Sequence, residues 1–110
     1  MSFRVNGTTI YLTRGDTFRA VITISNPDGS IYTPQEGDKV RFAMKEDIDS
    51  EELLIFRDIP IDTMELVLFP GDTKGLEYGN YVYDIQLTKA NGDVDTFITK
   101  SKLKLTEEVE

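Results

Sequence analysis

Apolar and polar residues alternate along much of this chain with the period of two that a strand requires. Phe18, Ala20, Ile22 and Ile24 alternate with Arg19, Val21 and Thr23. Val40, Phe42 and Met44 alternate with Arg41, Ala43 and Lys45. Tyr81, Tyr83, Ile85 and Leu87 alternate with Val82, Asp84, Gln86 and Thr88. Successive strand side chains point to opposite faces, so each run lays an apolar stripe along one face of a half-buried strand. Shorter runs at residues 3–5, 9–12, 53–57, 64–69, 94–99 and 102–106 are rich in β-branched and aromatic residues and read as further strands. No segment carries a helical stripe. The best candidate for one helical turn is Gly71 to Leu76, with Asp72 or Thr73 as its cap.

Turn residues separate these runs. Asn91-Gly92 is the strongest hairpin signal, and Asn6-Gly7 suggests a second, small hairpin. Arg14-Gly15-Asp16, Pro27-Asp28-Gly29 and Glu36-Gly37-Asp38 read as turns in which glycine supplies a positive φ. Leu76-Glu77-Tyr78-Gly79-Asn80-Tyr81 has the sequence shape of a tyrosine corner, with Tyr81 bonding backbone just upstream and Leu76 packed beneath it. Residues 64–69, 80–88 and 93–99 then become strands E, F and G of an immunoglobulin-like fold. The expectation is an all-β, immunoglobulin-like β-sandwich of about seven to eight antiparallel strands, formed by residues 1–110 as one domain. Residues 106–110 are acidic and expected to fray.

Composition narrows the chemistry more than the fold. The 110 residues include no histidine, cysteine or tryptophan, and 12 basic against 20 acidic side chains give a net charge of −8. Without cysteine there is no disulfide framework, thiolate zinc site or cysteine nucleophile. Without histidine the commonest general base and the serine–histidine–aspartate triad are missing. The acidic excess argues against general nucleic-acid binding, because phosphate affinity comes from Lys and Arg. No apolar run approaches the ~20 residues of a membrane helix, and the N-terminal ten residues contain no signal-like apolar core. A cytosolic site of synthesis is expected. Residues 1–45 carry six basic and four acidic side chains, a net of +2, and residues 46–110 carry six and sixteen, a net of −10. That split suggests one acidic and one mildly basic surface, suited to oriented packing between subunits.

Searching for chemistry yields little. Glu46-Asp47-Ile48-Asp49-Ser50-Glu51-Glu52 invites a calcium reading, but its sixth loop position is Glu52 where glycine is needed, and its twelfth is Asp58 where glutamate is needed. A solvated loop between strands is the better reading, and Asp93 and Asp95 are expected to face solvent. Arg14-Gly15-Asp16 spells an integrin-binding tripeptide, but three letters recur by chance. Asp16 and Thr17 are expected to bond the turn backbone through their side chains. Ser101 and Lys102 are adjacent on one strand and so point apart, which spoils a Ser–Lys dyad. No catalytic residue, cofactor, metal or small-molecule substrate is expected. The surface is more promising. Tyr11, Val21, Val67, Phe69, Val82 and Phe97 fall on strand faces opposite the core stripes, and Asp84 sits mid-strand among them. Tyr11, Phe69, Val82, Asp84 and Phe97 are the candidate interface residues.

The order of these motifs resembles a known family. Ile10-Tyr11-Leu12-Thr13-Arg14-Gly15-Asp16-Thr17-Phe18, then Asp28-Gly29, Tyr32-Thr33-Pro34 and Gly37-Asp38-Lys39-Val40-Arg41-Phe42, resemble the N-terminal domain of phage baseplate upper proteins of Gram-positive bacteria. Pro70-Gly71-Asp72-Thr73, Leu76 through Leu87, and Gly92 with Thr96 continue the likeness across residues 9–106. The resemblance implies an immunoglobulin-like connector of a phage or prophage tail, made in the bacterial cytoplasm and built into the virion. Its partners would be other tail or baseplate proteins, or further copies of itself. It implies no catalytic residue; Gly15, Asp16, Gly37, Asp38, Gly79 and Tyr81 would be fold determinants. The chain ends at Glu110 without a stalk, collagen-like repeat or heptad, which points to a small accessory or free-standing attachment domain rather than a receptor-binding part. The competing expectation is an extracellular adhesion or carbohydrate-binding sandwich, for which Tyr32, Tyr78 and Tyr83 are the available aromatic platform.

Overall fold

The computed structural model describes residues 3–6 and 8–107, and it is all-β apart from one short helix. The strands are β1 (Phe3–Asn6), β2 (Thr9–Thr13), β3 (Phe18–Val21), β4 (Ile24–Ser25), β5 (Ile31–Tyr32), β6 (Lys39–Lys45), β7 (Ile55–Ile59), β8 (Glu65–Leu68), β9 (Gly79–Thr88) and β10 (Val94–Thr106). Helix α1 (Pro70–Lys74) follows β8. Six strands form the main sheet in the order β1-β2-β10-β9-β6-β7. The pairs β3-β8 and β4-β5 form two small sheets. Phe18, Leu66 and Leu68 from β3 and β8 share one core with Leu12, Phe42, Tyr83, Ile85 and Leu103 of the main sheet, so the β3-β8 pair covers its inner face.

Strand β9 is the spine of that sheet. Its residues alternate between core and outer face over ten positions without a break, and both its edges are paired, to β6 and to β10. Tyr81, Tyr83, Ile85 and Leu87 point inward. The Phe42 and Tyr83 rings lie 5.2 Å apart at the centre of the core. The Tyr81 hydroxyl donates to the Glu77 carbonyl at 2.6 Å, the bond a tyrosine corner makes, and Leu76 packs on the core below.

Several expectations change. The main sheet is mixed, not wholly antiparallel, because β2 and β10 run parallel. Nearly the whole domain lies between them, and only a long connection allows parallel pairing. Ten strands are present among the described residues, against the expected seven or eight. The run 18–24 breaks after Val21, where the Ile22 amide turns to the Met64 carbonyl and Met64 takes a φ of 53°. The run 53–57 starts late, at Ile55, and extends to Ile59. Strand β5 has too short an apolar pattern to be read from sequence. Conversely, the runs 94–99 and 102–106 are one strand with two register shifts. Thr106 does not fray: its carbonyl accepts from the Arg14 amide and its hydroxyl donates to Leu12. Residues 108–110, and Gly7 of the small hairpin, lie outside the described residues. No helix among the described residues is long and apolar enough to cross a membrane.

The helical turn expected at 71–76 is α1, starting one residue earlier with Pro70, whose fixed φ suits a first helical position. The Asp72 carboxylate accepts from the Phe69 amide and pairs with Arg57 at 2.5 Å. Thr73 is fully buried and accepts from the Gly15 amide, which ties α1 to the β2–β3 turn. In that turn the Asp16 amide bonds the Thr13 carbonyl. Neither the Asp16 nor the Thr17 side chain forms a hydrogen bond among the described residues, contrary to expectation: the Thr73 hydroxyl already serves the turn.

Asp38 organises the opposite end. Its carboxylate accepts from the Gln35 amide, the Tyr32 hydroxyl and the Ala90 amide, joining the β5–β6 turn to the β9–β10 hairpin. These bonds, the Gln35 amide foremost, hold its carboxyl below the usual carboxylate range. A depressed folded-state pKa contributes stability that is complete above the unfolded value near ~4 and is lost as pH falls through the folded value. Asp38→Asn is therefore expected to lower stability at pH 7 and to flatten the acid limb of a urea-denaturation series. An acid limb parallel to wild type would contradict the role assigned to Asp38.

Gly37 shows why this turn demands glycine. Its φ is +92°, and a Cβ there would sit 2.9 Å from the Ala90 Cβ. Gly92 has the same backbone need, with φ +96°, but nothing within 4 Å of an added Cβ. Gly92→Ala should cost only the left-handed penalty of about 1–2 kcal/mol, and Gly37→Ala measurably more. Adding Ala90→Gly should recover the excess. Equal losses for the two alanine variants would show that the close approach carries no energy.

Candidate functional site

The outer face of the main sheet carries the most chemically distinctive arrangement among the described residues. Alternation in β9 places Val82, Asp84 and Gln86 there. Register then fixes their neighbours. Val82 lies between Lys102 of β10 and Lys45 of β6, and Asp84 is paired with Ala43, which in turn is paired with Phe56 of β7. Opposed residues have Cβ atoms about 4.5–5.5 Å apart, so these rows are in contact range. The β6–β7 loop folds back over the same face, where Ile48 and Leu53 close a cleft of about 100 Å³ with Ala43, Lys45, Val82, Asp84 and Lys100.

Lys100 enters the cleft through a backbone irregularity. Between the pairings Ile98↔Ile85 and Ser101↔Tyr83, β10 has one residue more than β9. Lys100 absorbs it with a φ of 39°, in the left-handed region a side-chain-bearing residue seldom occupies. Asp84 is thus a partly buried carboxylate among apolar walls with two lysines on the rim. Burial pushes its carboxyl above the usual range, and the Lys45 charge opposes that shift only in part.

Around the cleft lie exposed apolar side chains: Phe56 at 53%, Ile48 at 51% and Leu53 at 45%. Phe56 also stacks under Arg41, whose guanidinium carbon is 5.4 Å from the ring centre and whose Nε pairs with Asp58 at 3.1 Å. The side chains of Lys45, Lys100, Lys102 and Lys104 form no ion pair or hydrogen bond among the described residues. Lysines from both sequence halves meet here, since β6 neighbours β9 and β9 neighbours β10. The +2/−10 division along the chain is therefore not a division between two surfaces.

The candidate interface residues do not form one patch. Val82 and Asp84 line the cleft, and Tyr11 shares the same sheet face, opposite Lys104. Phe69 is half exposed but sits at the start of α1, with the Arg57 guanidinium 5.5 Å from its ring. Phe97 packs on the core, because a further extra β10 residue between Thr96 and Ile98 turns the alternation over and brings Phe97 and Ile98 both inward. The alternation pattern missed Lys45, Lys100, Ile48, Leu53 and Phe56. The two extra residues between Thr96 and Ser101 restore the phase of the strand, so the runs 94–99 and 102–106 carry no sign of the irregularity at Lys100. The Leu53-Leu54 doublet, by contrast, marked the point where alternation fails.

Other readings lose their geometry. Tyr83 is buried, with its hydroxyl donating to the Thr8 carbonyl, while Tyr32 bonds Asp38 and Tyr78 lies 4.3 Å under Arg14. The three tyrosines make no shared platform. Ser101 is inside the sheet and Lys102 outside. Arg14 of the Arg-Gly-Asp tripeptide donates to the Leu76 carbonyl. In the acidic loop the Asp47 carboxylate accepts from the Asp49 amide and the Ser50 hydroxyl. No group of three or more potential metal ligands is assembled among the described residues. No protein-family model matches the chain, and no curated protein matches it.

The Asp84 environment has a measurable sign. A carboxyl with a raised folded-state pKa destabilises the fold at neutral pH, and this cost fades as pH falls through the folded value towards the unfolded value near ~4. Asp84→Asn is expected to be more stable than wild type at pH 7, with the difference closing by about pH 4. A less stable Asp84→Asn at pH 7 would mean that attraction to Lys45 outweighs desolvation.

Proposed function

We propose that this protein is a non-enzymatic structural or attachment domain of a phage or prophage tail or baseplate, acting through protein–protein contacts. The observation that carries the contact function is the outer sheet face, where Ile48, Leu53 and Phe56 remain exposed around a cleft and the Lys100, Lys102 and Lys104 side chains form no ion pair or hydrogen bond among the described residues. Apolar groups interspersed with unspent charge are the mixture from which specific, oriented interfaces are made. The tail setting rests on the family resemblance of residues 9–106.

The finer fold reading belongs to the same proposal: an immunoglobulin-like sandwich with β8, β9 and β10 as its E, F and G strands. Two β-layers on one core, the Tyr81–Glu77 bond and the β9–β10 hairpin support it. The second layer, with β3 and β8 alone, is the point of departure from that plan.

Tail particles purified from the bacterium that encodes the chain test the reading. The chain is expected in a fixed ratio to the other tail proteins by quantitative mass spectrometry. Recovery only among free proteins, with particles intact and complete without it, would refute the assignment.

A further inference from the structure

The lysines of the outer sheet face are regularly spaced beside the cleft. Lys104 and Lys102 are two residues apart on β10, exposed, and paired with Asn80 and Val82 of β9. Lys100 follows at the wall of the cleft, and Lys45 flanks Val82 from the β6 side. Arg19, Arg41 and Arg57 each pair with a carboxylate, Glu65, Asp58 and Asp72. The side chains of Lys100, Lys102 and Lys104 pair with none among the described residues, although the chain has 20 acidic side chains and a net charge of −8. Asp84 lies within this group, but the charge it attracts is that of Lys45. A cationic strip on an acidic protein is therefore left open beside an apolar cleft.

We propose that this face receives an extended acidic segment of a partner protein, whose alternate carboxylates meet Lys104 and Lys102 and whose next side chain on that face, an aliphatic one, enters the cleft. The proposal names the partner's chemistry for the contact function inferred above and rests on it. Charge complementarity selects an acidic occupant, since clustered cations without intramolecular partners attract carboxylates to this strip. Spacing selects an extended one. Side chains on one face of an extended chain repeat every ~6.6 Å, the same repeat that separates Lys104 from Lys102. One further step reaches Lys100 and the cleft, where Ala43, Val82, Ile48 and Leu53 leave room for one aliphatic side chain. The segment's backbone amides supply donors for Asp84, which an aliphatic group alone would leave buried and unpaired. A polyphosphate or a lipid headgroup fits less well, because its anionic groups would face Asp84 and the apolar walls.

An NMR titration of the isotope-labelled chain with the peptide Ser-Glu-Ser-Glu-Ser-Leu-Ser, at low salt, tests this. The net charge of −8 repels an acidic peptide in general, so binding reports the local strip. Saturable shifts are expected in β9, β10 and the β6–β7 loop, with a Kd on the order of 1 mM or tighter. Lys102→Glu/Lys104→Glu is expected to weaken binding at least tenfold; both side chains are exposed, so the fold should be kept. Replacing the peptide's glutamates by glutamine, or its leucine by glycine, is expected to weaken binding as well. The proposal is overturned by absent binding, by shifts that saturate elsewhere, by a variant that binds like wild type, or by a glycine peptide that binds like the leucine one. Binding to phosphatidylserine vesicles but not to the peptide would overturn it in favour of a lipid surface. Dimerisation in sedimentation velocity that the variant abolishes would overturn it in favour of a second copy. None of these results bears on whether the chain is found in tail particles, so the two readings fail separately.

Discussion

The register of β9 is the constraint on which the rest of the structure depends. Its four inward side chains, Tyr81, Tyr83, Ile85 and Leu87, are almost fully buried. Burying each contributes about 1.5–3 kcal/mol, so a slip of one residue would forfeit about 6–12 kcal/mol. That matches the whole stability of a typical small domain, about 5–15 kcal/mol, which leaves no alternative register. Because β9 has neighbours on both sides, its register also fixes β6 and the outer half of β10. Asp84 is on the outer face because Tyr83 and Ile85 must be inside.

The same constraint explains the strain in β10. This long strand must stay in register with β9 and also bring Leu103 and Leu105 against Ile10 and Leu12 of β2. It meets both demands by carrying two extra residues between Thr96 and Ser101. One brings Ile98 to the core beside Phe97, and the other puts Lys100 into the left-handed region beside Asp84. The cleft is therefore a consequence of two packing demands on one strand, and the bulge is what aims a cation into it.

Much of this was legible from residue order, and the failures share a cause. Strands with one buried face declared themselves by alternation, as β6 and β9 do. The Tyr81 corner was readable because its bond spans only four residues, from Glu77. What stayed hidden depends on distant pairing: the parallel contact of β2 with β10, the short β5, and the bonding of Asp38 to Ala90 across 52 positions. The candidate site was half legible. Val82 and Asp84 follow from alternation alone, but Lys45 and Lys102 become their neighbours only through cross-strand register. Phe97 was misplaced because the extra residue beside it brings Ile98 inward as well, so the alternation around it cannot be read from sequence.

A sheet face with exposed Phe56, Ile48 and Leu53 is exposed to indiscriminate association, and its polar groups limit that. Asp84 lies at the centre of the apolar surface, where a wholly apolar partner would strip water from a carboxylate and leave it unpaired. The lysines on β10 impose the same requirement along the strand, since a flat neighbouring sheet without matching acids would bury unpaired amines. Only a surface with carboxylates opposite β10, and with a group able to bond Asp84, meets both conditions. Burial already pushes the Asp84 carboxyl above its ordinary range. Desolvation by a partner would push it further in that direction. The charge pattern therefore selects partners by what it excludes, and the apolar side chains supply attraction only where that exclusion is satisfied.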